Sequence, residues 1–156
     1  MRKKRVLFVG EASWNTSGYS VYAKELLTRL CKEDSIEVAE LACYASKDDV
    51  ECDMMPWKVY GNAPPEGSEE WSMYKGRQSN TYGEWSFGVA CADFKPDIVI
   101  DIRDYWMIEH ELRNPFFNYF HWAIMPAVDA SPQNSSWVNT YRQADSLFAY
   151  CEFGRD

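Results

Sequence analysis

The chain opens with an apolar run that no polar residue interrupts. Val6, Leu7, Phe8 and Val9 follow a basic flank of Arg2, Lys3, Lys4 and Arg5, and Gly10 closes the run. Continuous rather than alternating apolar character marks a strand covered on both faces, as in a parallel sheet. A polar loop, residues 11–18, comes next, and helical periodicity follows it. Tyr19, Tyr22, Ala23, Leu26, Leu27 and Leu30 fall on one stripe, with Lys24, Glu25, Thr28 and Arg29 on the other. Asn15, Thr16 and Ser17 are each competent to cap this helix. A covered strand that feeds a helix through a short loop commits the chain to right-handed crossovers between parallel strands.

The rest of the chain repeats that alternation. Ile36 to Tyr44 reads as a second strand, and Gly83 to Phe94 as a helix stopped by Lys95-Pro96. Asp97 to Ile102 is another buried strand, Asp104 to Leu112 a short helix, and Asn118 to Ile124 a strand rich in rings. Ser135 to Ala144 reads as a helix and Ser146 to Cys151 as a final strand. Segment 45–82 differs in kind. It carries Pro56, Pro64, Pro65, several glycines and isolated rings at Trp57, Tyr60, Trp71 and Tyr74, so it reads as an irregular insert with room for a short strand near Lys58. The expected fold class is α/β: one Rossmann-like domain over residues 1–156, a parallel sheet flanked by helices. The last strand lacks a covering helix, the pattern expected of a domain that continues into a longer protein.

Composition narrows the function classes. A net charge of −8 disfavours a nucleic-acid partner, because an acidic surface repels phosphate backbones. The five cysteines form neither a disulfide framework nor a zinc pattern, and no stretch is long and apolar enough to span a bilayer. A reduced, cytoplasmic protein is expected. Aromatic residues make up 16% of the chain, enough both to fill a core and to leave rings for stacking on a ligand.

In open parallel sheets ligands bind beyond the carboxyl ends of the strands, which singles out segments 11–18, 101–106, 121–129 and 151–156. The first loop holds neither Gly-x-Gly-x-x-Gly nor a P-loop Gly-Lys-Ser/Thr. It offers either the amides of a helix N-terminus to a phosphate or a plain capped turn. Asp101, Arg103 and Asp104 directly follow a strand. They suit charge-assisted hydrogen bonds to a hydroxylated ligand, although Asp104 fits an N-cap equally well. His121 reads either as a satisfied core histidine or as a functional one near the sheet's carboxyl edge. His110, between Glu109 and Glu111, reads as a solvated surface residue. Neither a Gly-x-Ser-x-Gly elbow nor a cluster of metal ligands is present.

Several stretches together resemble a known family. These are Val-Leu-Phe-Val-Gly10, Gly18-Tyr-Ser-Val-Tyr-Ala-Lys-Glu-Leu-Leu, Lys95-Pro-Asp-Ile-Val-Ile, Tyr119-Phe-His-Trp-Ala-Ile-Met-Pro and Gln143-Ala-Asp-Ser-Leu-Phe-Ala-Tyr-Cys-Glu-Phe-Gly. In order and spacing they are similar to the N-terminal domain of GT-B glycosyltransferases of the family 4 type, over nearly the whole chain except 45–82. The resemblance implies the acceptor-binding half of a nucleotide-sugar-dependent enzyme, retaining and metal-free, inactive without a C-terminal half that holds the donor. It implies no cofactor beyond the nucleotide-sugar substrate, and a sugar or glycosylated acceptor as partner. Carried over by position, Thr16, Ser17 and Gly18 would face the donor phosphates. His121 would act as the catalytic histidine. From their places at or beyond the strand ends, Arg103, Asp104 and Asp129 are the expected acceptor-binding residues. Ser17-Gly18 stands where the family has a Gly-Gly pair, and Cys151 where it often has Ser. Two other readings stand beside this one: a non-catalytic Rossmann-like binding module that uses 45–82 as its partner surface, and an oxidoreductase domain, which the missing dinucleotide fingerprint disfavours.

Overall fold

The computed structural model describes residues 2–155. Six strands run parallel in one sheet: β1 (Lys4–Glu11), β2 (Ile36–Ser46), β3 (Lys58–Ala63), β4 (Ile98–Asp101), β5 (His121–Ile124) and β6 (Ser146–Leu147). Their order across the sheet is β3-β2-β1-β4-β5-β6. Seven helices flank it: α1 (Gly18–Leu30), α2 (Glu51–Met54), α3 (Glu69–Lys75), α4 (Trp85–Phe94), α5 (Tyr105–Leu112), α6 (Ser135–Tyr141) and α7 (Glu152–Arg155). This is the Rossmann-like α/β architecture that the opening strand dictates. Among the described residues no helix is long and apolar enough to cross a membrane.

The two-sided burial of β1 explains why its run is continuous. Leu7 and Val9 point into a core built with Leu41, Phe87, Val99, Ile108 and Trp122, whereas Phe8 packs on the opposite face with Ala23, Leu27, Val38 and Trp57. Strand alternation thus sends neighbours to different cores, and both need apolar side chains. Helix α1 covers the second face through Ala23 and Leu27, and Ser17 caps it by accepting the Ser20 amide. Helix α4 stops where Lys95 turns left-handed at φ 53°, and Pro96 follows.

Segment 45–82 is not an irregular insert. It supplies the edge strand β3, paired in parallel with β2 from Ala39–Lys58 to Ala42–Gly61, and its rings Trp57 and Tyr74 are buried. The insert folds back through a π-helical turn, Asn80–Glu84, in which Gly83 adopts φ 112°. A Cβ there would stand 3.3 Å from Cys43 Sγ and 3.4 Å from Leu41 Cδ2, so glycine lets the turn lie directly on the sheet. The predicted strand 118–124 begins later, because Phe117–Tyr119 form a 3-10 turn first. The predicted strand 146–151 shrinks to two residues.

Candidate functional site

The strand order reverses between β1 and β4, and a crevice beyond the carboxyl ends is the usual binding position in such a sheet. At this edge the structure has a cavity of about 750 Å3. Glu11 lines it from the end of β1, and Ser17, Gly18, Tyr19 and Tyr22 from the first turns of α1. Residues 126–129 after β5, with Tyr150, Cys151 and Gly154 after β6, complete the wall. Tyr22 and Tyr150 meet edge-on, with ring centroids 5.8 Å apart. Tyr19 donates its phenol to Asp104 at 3.4 Å, which brings a further carboxylate up behind the wall.

Helix α1 has no acidic residue in its first turn, and Glu11 fills that role from the preceding strand. Its carboxylate accepts the hydroxyls of Ser17 and Ser20, the latter at 3.3 Å. A carboxylate so placed satisfies the positive end of the helix dipole. It also places a negative charge beside the helix mouth, which opposes an incoming phosphate. The loop is held in this shape by Glu40, a fully buried carboxylate on β2 that accepts Ser13 N at 2.7 Å, Ser13 Oγ at 2.9 Å and Trp57 Nε1 at 2.7 Å. Burial raises the Glu40 carboxyl, and these three donors oppose the rise.

The residues singled out from sequence now divide. Ser17 and Gly18 line the cavity; Thr16 is exposed and is not among its walls. Gly18 has an ordinary helical backbone, and a Cβ on it would meet nothing within 4 Å, so the fold itself does not require glycine there. Asp129 lines the cavity and is exposed. Asp104 holds the N-cap position of α5 by backbone geometry, but its side chain makes no capping hydrogen bond. Its carboxyl is raised, first by burial and then by the nearby charge of Asp129, against the lowering effect of Tyr19.

Arg103 does not bind an acceptor. It is 2% exposed and fully engaged: Nε and Nη2 clamp Asp101, the former at 2.9 Å, and Nη1 reaches Tyr82 O at 2.7 Å and Cys43 Sγ at 3.3 Å. Burial works most strongly against its charge, but Asp101, Cys43 and Glu111 together outweigh that and hold the guanidinium above its ordinary value. Glu111 joins this cluster, with Trp122 Nε1 donating to it and Arg103 3.8 Å away. Burial and then the charge of Asp101 push Glu111 well upward, so its neutral form is favoured. His110 is buried rather than solvated. Its Nε2 lies 3.1 Å from Tyr82 O, and burial followed by the Arg103 charge pulls it down to about 4.

His121 also requires correction. It is the first residue of β5, in register with Ile98 at the start of β4, and so lies at the amino edge of the sheet. Its side chain is exposed, with Nε2 2.7 Å from Ser146 Oγ. The rest of β5, a rise of about 10 Å, separates it from the cavity edge, and it is not among the lining residues.

The residues that sequence reasoning placed elsewhere are Tyr19 and Tyr22, assigned to the core stripe of α1. Tyr22 is 43% exposed, and the true inward face is Ser20, Ala23 and Leu27. Their position was the available signal: first-turn residues of the helix after β1 stand at the carboxyl edge by topology. Chemically, the site presents carboxylate acceptors and phenols, and among the described residues its lining holds no histidine, lysine or arginine. Comparison with protein-family models yields no match, and neither does a search of curated proteins.

Proposed function

We propose that this chain is the acceptor-binding half of a nucleotide-sugar-dependent glycosyltransferase, and that the cavity at the carboxyl edge receives a hydroxylated ring. The fold alone hosts many activities, so the reading rests on the site. The observation that carries it is the composition of the cavity wall. Glu11 and Asp129 offer oxygen acceptors to hydroxyl protons, Tyr19, Tyr22 and Tyr150 offer ring surface, and no basic side chain is there to attract a phosphate. Glu11 at the helix mouth further disfavours a nucleotide diphosphate held by this chain alone. The donor contact assigned to Thr16, Ser17 and Gly18 then reduces to an edge that a donor held elsewhere could approach, with Gly18 as its open point. Segment 45–82, the surface of the binding-module reading, contributes β3 to the sheet and leaves Val50, Met54 and Met73 exposed.

Titration of mono- and disaccharides into the labelled chain, followed by amide NMR, tests the proposal. Neutral and substituted sugars are expected to shift the Gly18, Tyr22 and Asp129 resonances, and a nucleotide-sugar without acceptor is expected to leave them in place. Tight binding of the nucleotide-sugar at those amides, with no sugar response, would sink the acceptor assignment.

A further inference from the structure

Much of the polar character of the cavity wall is already committed. Glu11 takes the Ser17 and Ser20 hydroxyls on its Oε2, and Ser17 Oγ accepts the Ser20 amide at 3.1 Å. The Tyr19 phenol is turned to Asp104. The carboxylate atoms left for a ligand are Glu11 Oε1 and the oxygens of Asp129, which holds an exposed position. A pyranose carries a hydroxyl on most of its ring carbons. Buried whole in this space, it would press several of them against apolar wall, and a hydroxyl buried without a partner costs binding energy.

The remainder of the wall suits a different ring. Pro126 is buried, Ala127 and Val128 are half-buried, and Gly18 and Gly154 add no side chain. Tyr22 from α1 and Tyr150 from beyond β6 both border the space and are 43% and 45% exposed, so neither is spent on the core. Their planes are inclined at 69°, with centroids 5.8 Å apart. Two rings set edge to face make a corner. A third aromatic ring entering it can stack on one and meet the other edge-on, the two arrangements that the charge distribution of aromatic rings favours. The cavity, about 750 Å3, has room for more than one ring.

We infer that the acceptor is an aryl glycoside, its aromatic ring in the corner made by Tyr22 and Tyr150 and its sugar at the solvent boundary beside Asp129. The inference rests on the acceptor-binding reading above and names the class of acceptor. At that boundary water satisfies the sugar hydroxyls that the wall cannot, and the Asp129 carboxylate accepts from those nearest to it. The aromatic ring needs no hydrogen bond and is stabilised by leaving water.

Three glucosides that differ only in the aglycone test this: methyl, cyclohexyl and phenyl β-D-glucoside, each titrated into the 156-residue chain with amide shifts as the readout. The phenyl glucoside is expected to bind roughly tenfold more tightly than the methyl. It is expected to bind about threefold more tightly than the cyclohexyl, which has similar apolar bulk without the aromatic charge distribution. Tyr22→Leu and Tyr150→Leu keep apolar bulk at exposed positions and are expected to bring the phenyl and cyclohexyl glucosides level. Tyr119→Leu, at a ring 79% exposed just before β5, is expected to leave the phenyl preference intact. Equal binding of the methyl and phenyl glucosides overturns the inference and leaves the acceptor reading in place. So does a cyclohexyl glucoside that binds as tightly as the phenyl, or a phenyl preference that survives both cavity substitutions or is lost in Tyr119→Leu. No response from any of the three at millimolar concentrations overturns the acceptor reading itself.

Discussion

Two groups of ionisable side chains lie close together near the carboxyl edge, and they have opposite fates. Asp101, Arg103, Glu111 and His110 are sealed in the core, with one guanidinium clamped to one carboxylate, Glu111 pushed towards its neutral form and His110 held uncharged. Glu11, Asp104 and Asp129 stand at the solvent boundary with no cation among them. Adjacent positions, Arg103 and Asp104, belong to different groups. A charge inside the core must find its partner within the fold. A charge at a cavity can leave its partner to be supplied by a ligand. The difference separates what holds this molecule together from what it can recognise.

The largest effect should come from breaking the sealed group. Arg103→Met leaves Asp101 buried without its cation, and removal of one partner of a buried pair costs about 3–5 kcal/mol. Urea unfolding at neutral pH should show that loss; a change below about 1 kcal/mol would mean that the cluster is not a structural unit.

His110 makes the sealed group sensitive to acid. Its folded value of about 4 lies below its ordinary 6.5, so the unfolded chain binds the extra proton between those values. Stability is therefore fully present above about pH 6.5 and falls as the pH drops towards 4, by something on the order of 3 kcal/mol. His110→Gln keeps a donor for Tyr82 O and cannot titrate. The stability difference between the two proteins, measured by denaturant across that window, should change with pH in this direction; a flat difference would remove His110 from the account.

The open group should respond through binding more than stability. Gly18→Ala puts a methyl where the protein itself has nothing within 4 Å. Alanine suits a helix better than glycine by up to about 1 kcal/mol, less in the first turn. The melting temperature should hold or rise slightly while sugar binding weakens; unchanged binding would show that no ligand approaches Gly18. Smallest of all, His121→Ala at the amino edge should leave sugar binding unaltered and shift stability within about 0.5 kcal/mol. A loss of binding in this variant would reinstate the histidine as part of the site.

The opening strand and helix were legible because each is specified by its own residues: an unbroken apolar run and a periodic stripe. Strand β3 was legible only as room for a short strand near Lys58, because it lies at the sheet edge and its sequence, Lys58 to Ala63, includes Gly61 and Asn62 and has no apolar run. Asn62 is buried there only because Asn80 O accepts its amide and Ser86 bonds both its side chain and its carbonyl, partners about twenty residues away. The fates of Arg103 and His110 were illegible for the same reason. Tyr82 O takes a hydrogen bond from each, and the turn that presents it belongs to the segment that read as loop. His121 was misplaced by a shorter error. The rings before it extended the apparent strand, so the residue that begins β5 was read as one near its end. In the cavity, Asp129 and Gly18 were found from strand-end topology, whereas Tyr19 and Tyr22 passed for core because ring and stripe position alone do not distinguish an inward from a flanking face.

Glu11 has a consequence for how such a site could change its guest. The mouth of α1 is already occupied by an anion that the chain carries covalently, so a free phosphate competes with an intramolecular carboxylate that pays no entropy of capture. Selection against anions is thus built in before any ligand arrives, and Asp129 in the wall and Asp104 behind Tyr19 add to it. Glu11→Gln would remove one of those charges while keeping an acceptor for Ser17 and Ser20.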